Sequence, residues 1–152
     1  MLLDKNKIIK CLASFFYIGH LPFSGTVASI FPVAVFFLLK GNPLIYNIIA
    51  ILSLPLALVI SQRAELIFQE KDPRCIVIDE ISGMFISFLF VPFKWNYAIL
   101  GFIIFRFFDI IKFYPIKKIE KLPGGFGIAL DDICAAVYAN LILRVFIITK
   151  AV

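Results

Sequence analysis

Five long apolar runs leave this chain few ways to fold. They cover residues 27–39, 44–60, 76–93, 95–108 and 128–148. A helix that spans a bilayer needs about 20 residues, within a range of roughly 17–25. The first and fourth runs are short by this test and reach it only by taking in flanking polar residues, so one of them is a candidate re-entrant segment. Pro32 and Pro55 fall inside the first two runs and should kink them if they are helical. The whole chain is 62% hydrophobic, against about 45–50% for soluble domains. The expected fold is all-α, a polytopic integral membrane bundle of about four to five hydrophobic helices. Residues 1–152 make a single domain.

The N-terminal segment, residues 5–18, begins with basic residues and shows no small-residue cleavage pattern before His20 and Pro22. It reads as a short amphipathic helix lying on the membrane rather than a cleaved signal. Cys11, Cys75 and Cys134 match no zinc spacing and read as free, packing thiols.

Net charge is +5, but the basic residues flank apolar runs and form no nucleic-acid module. They fit lipid headgroups and topology signals instead. If the N-terminus is cytoplasmic and all five runs cross, the inner side holds Lys5, Lys7, Lys10, Arg63, Lys71, Arg74, Arg106, Lys112, Lys117, Lys118 and Lys121. The outer side holds Lys40, Lys94 and Lys150, with Arg144 inside the last run. That positive-inside bias also gathers residues 20–26, 72–80, 106–112 and 124–132 at one membrane face, although no acidic residue entered the count.

Those segments carry the chemistry. Asp79, Glu80, Asp109, Asp131 and Asp132, half of the ten acidic residues, sit inside or at the edges of apolar runs. A carboxylate near lipid is costly and usually faces a protected site or a water-filled cavity. Asp79 and Glu80 would complement a helix macrodipole. The uncharged stretch that follows them, residues 81–93, is better explained if they hold a metal, since magnesium prefers carboxylate oxygen. Gly83 would let a second helix or a ligand come close.

Arg106, Asp109 and Lys112 are spaced to share one helical stripe. They could neutralise one another, or the two cations could bind phosphate beside a metal-binding aspartate. Gly124 and Gly125 open a segment whose backbone N–H groups suit phosphate, one turn before Asp131 and Asp132. Adjacent helical positions diverge by about 100°, so one aspartate should meet metal while the other supports a water or a neighbouring helix. Ser24 and Thr26 are candidate helix caps. His20, the only histidine, reads as a surface residue more readily than a catalyst. The chain has no Cys-x5-Arg loop, no Asp-x-Asp-x-Thr/Val signature, no second histidine and no Walker loop.

Together, Leu21-Pro-Phe-Ser-Gly-Thr26, Ile76-Val-Ile-Asp-Glu-Ile-Ser-Gly83, Phe105-Arg-Phe-Phe-Asp-Ile-Ile-Lys112 and Gly124-Gly-Phe-Gly-Ile-Ala-Leu-Asp-Asp-Ile133 resemble the phosphatidylglycerophosphatase A family. The resemblance runs from about Gly19 to Asn140. Ser24-Gly25-Thr26 stands where the family usually has Pro-Gly-Thr, and Lys112-Phe-Tyr-Pro115 where it usually has Lys-Pro-x-Pro. The resemblance implies magnesium-dependent hydrolysis of phosphatidylglycerophosphate in a bacterial inner membrane, with the active site facing the cytoplasm.

On that reading Asp79, Glu80, Asp109 and Asp132 are catalytic, and with Asp131 they form the metal set. Arg106, Lys112, Gly125 and Thr26 bind the substrate phosphate, and Asp72 is a secondary candidate. The partners are a phospholipid and the bilayer; oligomeric state is left open. Two rivals stand beside it. A cation or proton transporter would spread its acids across membrane depth, and a non-catalytic subunit would use the ion pairs only to hold helices together.

Overall fold

A computed structural model describes residues 4–70, 73–119 and 125–151. The described residues are helical, with no strands. The helices are α1 (Lys5–Ala13), α2 (Ser24–Leu38), α3 (Pro43–Phe68), α4 (Ile78–Ser87), α5 (Trp95–Ile111), α6 (Ile116–Ile119) and α7 (Gly125–Ala151), with a 3-10 turn at Ile18–His20.

Local chemistry sets several of the boundaries. The Asp4 side chain accepts a hydrogen bond from the Asn6 N–H and caps α1. Pro43 opens α3, where its missing N–H costs nothing. Pro32 and Pro55 both lie inside continuous helices. The amphipathic helix expected over residues 5–18 stops at Ala13. Phe15, Phe16 and Tyr17 then take left-handed backbone angles. The Ser14 hydroxyl holds that turn by accepting from the Tyr17 N–H at 3.2 Å.

Among the described residues, two helices are long and apolar enough to cross a bilayer: α3, and α7 over Ala129–Thr149. The α2 helix has 15 residues and α5 has 17. The largest departure from expectation is the third apolar run. Only 10 of its residues form α4, about 15 Å of helix. Residues 88–90 then turn, and 91–94 continue without regular structure. Apolarity here reports burial among the other helices, in a run whose regular helix is too short to span a bilayer by itself. The α4 helix packs against α2, α3, α5 and α7, and seven of its residues are buried.

Such a short buried helix leaves its last carbonyls without intrahelical partners, and α7 supplies them. Asn140 Nδ2 donates to the carbonyls of Ser87 at 3.0 Å and Leu89 at 2.9 Å. Arg144 Nη2 donates to Leu89 O at 3.0 Å while its Nε holds Asn140 Oδ1 at 2.7 Å. Arg144→Leu should therefore destabilise the protein by about 2 kcal/mol, through loss of the charge-assisted hydrogen bonds to Asn140 Oδ1 and Leu89 O. Thermal unfolding in detergent checks this, and an unchanged midpoint would remove the capping role.

The same end of the bundle holds an aromatic core. Phe36 stacks on Phe88 at 4.6 Å and on Phe93 at 4.5 Å, and the Tyr46 hydroxyl donates to Phe85 O. Outward positions are also apolar: Leu52 and Leu56 on α3, Ile99 and Ile103 on α5, and Leu141 and Val145 on α7 are exposed. So many exposed apolar side chains on α3, α5 and α7 fit a membrane or protein contact surface. The buried charges, by contrast, collect at the opposite end from the aromatic core.

Candidate active site

Five chain segments meet at that polar end: the start of α2, the loop before α4, the start of α4, the end of α5 and the start of α7. They enclose a cavity of about 820 Å³. Asp79, Glu80, Asp109, Asp131 and Asp132 all line it, with Arg106, Lys112 and Thr26. Asp79, Asp109, Asp131 and Asp132 are buried. Carboxylates from three helices, far apart in sequence, thus share one space.

The contacts divide the acids. Arg106 Nη1 donates to Asp109 Oδ2 at 2.6 Å and lies 3.5 Å from Glu80 Oε1. Lys112 does not follow the helical stripe expected for it. It is the C-cap of α5, with φ 49°, and its ammonium reaches across to Asp131 Oδ2 on α7 at 2.7 Å. A left-handed lysine is strained backbone of the kind that gathers at functional sites. Asp131 therefore ties α7 to the end of α5. Asp132 shares the cavity with Asp109, Asp79 and Asp131, a set of carboxylates near enough to repel one another. The two neighbouring aspartates thus differ in their surroundings, Asp131 paired with Lys112 and Asp132 among the other acids.

Two glycines make the convergence possible. A Cβ on Gly25 would lie 1.8 Å from Glu80 Oε1, so the first turn of α2 receives that carboxylate. A Cβ on Gly83 would lie 2.8 Å from the Phe105 ring and 3.1 Å from the Asp132 carbonyl oxygen. The close helix approach expected at Gly83 is present. The role of Gly25 was not legible in the sequence, because only the fold sets Glu80 against it. Nor does Ser24 or Thr26 cap α2: the N-cap is Phe23, left-handed, with no side-chain cap.

His20 is exposed and lines the cavity. Gly125 is the first residue of α7; Gly124 and Asp72 lie outside the described residues. Cys11, Cys75 and Cys134 are free thiols, and burial pushes the Cys75 thiol up, away from reactivity.

The donor set suits a hard cation. It is made of carboxylate oxygens, and its acids outnumber the two cations paired with them. Among the described residues no three acidic, histidine or cysteine side chains already stand at coordinating separations. Arg106 and Lys112 draw Asp109 and Asp131 into ion pairs instead.

Residues 11–147 match the sequence pattern of phosphatidylglycerophosphatase A. The chain belongs to the phosphatidylglycerophosphatase A family. Curated relatives agree. A Bacteroides thetaiotaomicron protein, provisionally named a phosphatidylinositol-3-phosphatase, is 36% identical over 84% of this chain and 86% of its own length. The Haemophilus influenzae phosphatidylglycerophosphatase A is 45% identical over 47% of this chain and 45% of its own. The Escherichia coli phosphatidylglycerophosphatase A is 30% identical over 78% of this chain and 71% of its own. No solved structure matches the chain. Membership makes the protein a phosphatase of the phosphatidylglycerophosphatase A family, as the four motifs imply.

Proposed function

We propose that this protein hydrolyses the terminal phosphomonoester of phosphatidylglycerophosphate, giving phosphatidylglycerol and inorganic phosphate, in a magnesium-dependent reaction. The observation that carries this is the shared cavity. In a chain of this family, acids from α4, α5 and α7 meet Arg106 and Lys112 at one end of an apolar-surfaced bundle.

Asp79, Glu80, Asp109 and Asp132 would hold the metal, with Asp131 anchoring Lys112 beside it. When bound, magnesium supplies charge neutralisation and an acidified water. Arg106 presents a guanidinium whose Nε has no partner among the described residues, a buried donor suited to a phosphate oxygen. Lys112 adds a second cation where charge develops on the transferred group. An acid of the cluster takes the proton of the attacking water.

The exposed apolar exterior and the positive-inside bias support a multi-pass protein of a bacterial inner membrane with this cavity facing the cytoplasm. The lipid's acyl chains then stay in the bilayer and only its headgroup enters. Collection of the acids at one end speaks against a transport pathway through the bundle.

The test is phosphate release from phosphatidylglycerophosphate by detergent-purified protein, with magnesium and with excess chelator. Release is expected with magnesium and its loss with chelator. No release from folded, lipid-supplemented protein would sink the reading. The name of the Bacteroides relative makes phosphatidylinositol 3-phosphate the competing substrate to include. Arg106→Lys, assayed alongside, should lower catalytic efficiency by on the order of ten-fold, since a point charge does not replace a planar fork.

A further inference from the structure

The cavity has a third cation with a different situation. Arg106 and Lys112 are both engaged with carboxylates. Arg74 also lines the cavity, is exposed, and forms no hydrogen bond or ion pair with any described residue. Its backbone is nevertheless well fixed. The Val77 N–H donates to Ala13 O at 2.9 Å, and the Ile76 N–H donates to Pro73 O at 2.9 Å. Gly19 presses so close to this loop that a Cβ on it would lie 2.0 Å from the Cys75 carbonyl oxygen.

That contact has a consequence for the neighbouring residues. Arg74 precedes Cys75 and His20 follows Gly19, so one backbone contact brings the two cavity-lining side chains to the same stretch of rim. Leu21 and Phe23 continue that rim, and both are exposed, Phe23 by 85%. The order along the cavity wall is therefore deep carboxylates, then a rim guanidinium and imidazole, then apolar side chains open to the surroundings.

We propose that Arg74, with His20 beside it, binds the phosphodiester of a lipid headgroup whose terminal phosphomonoester lies among the carboxylates of α4, α5 and α7. The inference rests on the reading given above and deepens it. A headgroup with two phosphates needs two anion sites, one that performs chemistry and one that only holds. The diester keeps a single negative charge and asks only for donors, which an arginine supplies without competing for the deep site. Acyl chains leaving the diester pass Leu21 and Phe23 into the bilayer. Arg74 is thus a specificity-determining residue, favouring a lipid with a diester behind its terminal phosphate.

The experiment is steady-state hydrolysis of phosphatidylglycerophosphate in mixed micelles by the wild type, Arg74→Ala and Arg74→Lys. Inhibition constants are measured for inorganic phosphate and for phosphatidylglycerol, which carry the two halves of the recognised chemistry. Arg74→Ala should raise KM by on the order of ten-fold with kcat within about two-fold, the pattern of lost uniform binding. Inhibition by phosphatidylglycerol should weaken by a similar factor, inhibition by inorganic phosphate should be unaltered, and Arg74→Lys should recover most of the loss. An unchanged KM in an active enzyme overturns this inference alone and leaves the phosphatase reading standing. A fallen kcat with weakened inorganic phosphate inhibition overturns it too, by placing Arg74 in the deep site. A wild type inactive on this lipid removes the phosphatase reading and the inference with it.

Discussion

Asp79→Asn is expected to lower kcat by on the order of a hundred- to a thousand-fold while the protein stays folded. Asp79 is buried at the start of α4, lines the cavity and lies in the electrostatic reach of Asp132. Asparagine keeps its size and one carbonyl oxygen but removes the charge that a divalent cation and a developing transition state need. The same change relieves repulsion among buried acids, so stability should hold or rise. Opposite signs for activity and stability separate a functional carboxylate from a structural one. Turnover and the thermal midpoint measured on one preparation decide it. Near-normal turnover in the folded variant would end the assigned role, and a collapsed midpoint would show that Asp79 is there to hold α4.

The second large effect comes from glycine rather than charge. Gly83→Ala should cost about 1–3 kcal/mol through overpacking. The added methyl meets the Phe105 ring on α5 and the backbone oxygen of Asp132 on α7, and backbone cannot swing aside. Activity should fall by on the order of a hundred-fold, since a shift of about 1 Å in a reacting constellation has that effect. Gly25→Ala gives the contrast. There the methyl meets the far end of the flexible Glu80 side chain. Stability should change little while activity falls, because Glu80 alone is displaced. Melting curves and turnover for the pair provide the comparison. Equal destabilisation by both would contradict the distinction between a backbone and a side-chain obstacle.

Much of the site was legible in the sequence because charge in an apolar run is conspicuous. Asp79, Glu80, Asp109, Asp131 and Asp132 each interrupt or border such a run, and all five line the cavity. Arg106 was legible by its spacing from Asp109, which the helix turns into a 2.6 Å contact. Lys112 was legible as a cation but not in its direction. Helical periodicity put it on the Asp109 stripe, whereas α5 ends there and sends it to Asp131. The role of Gly25 could not be read, since nothing local links residue 25 to residue 80.

Composition and apolar runs were enough to specify an all-helical chain, because a long apolar segment has few other ways to satisfy its backbone. The motifs were enough to specify a phosphatase family. Neither could tell a helix buried by protein from one buried by lipid, since both environments select the same residues. Only the tertiary structure decided that the run at 76–93 is a 10-residue helix capped by Asn140 and Arg144 rather than a long crossing helix. It also decided which acid meets which cation, because those distances depend on where helix ends meet, and that is fixed by packing at Gly25 and Gly83.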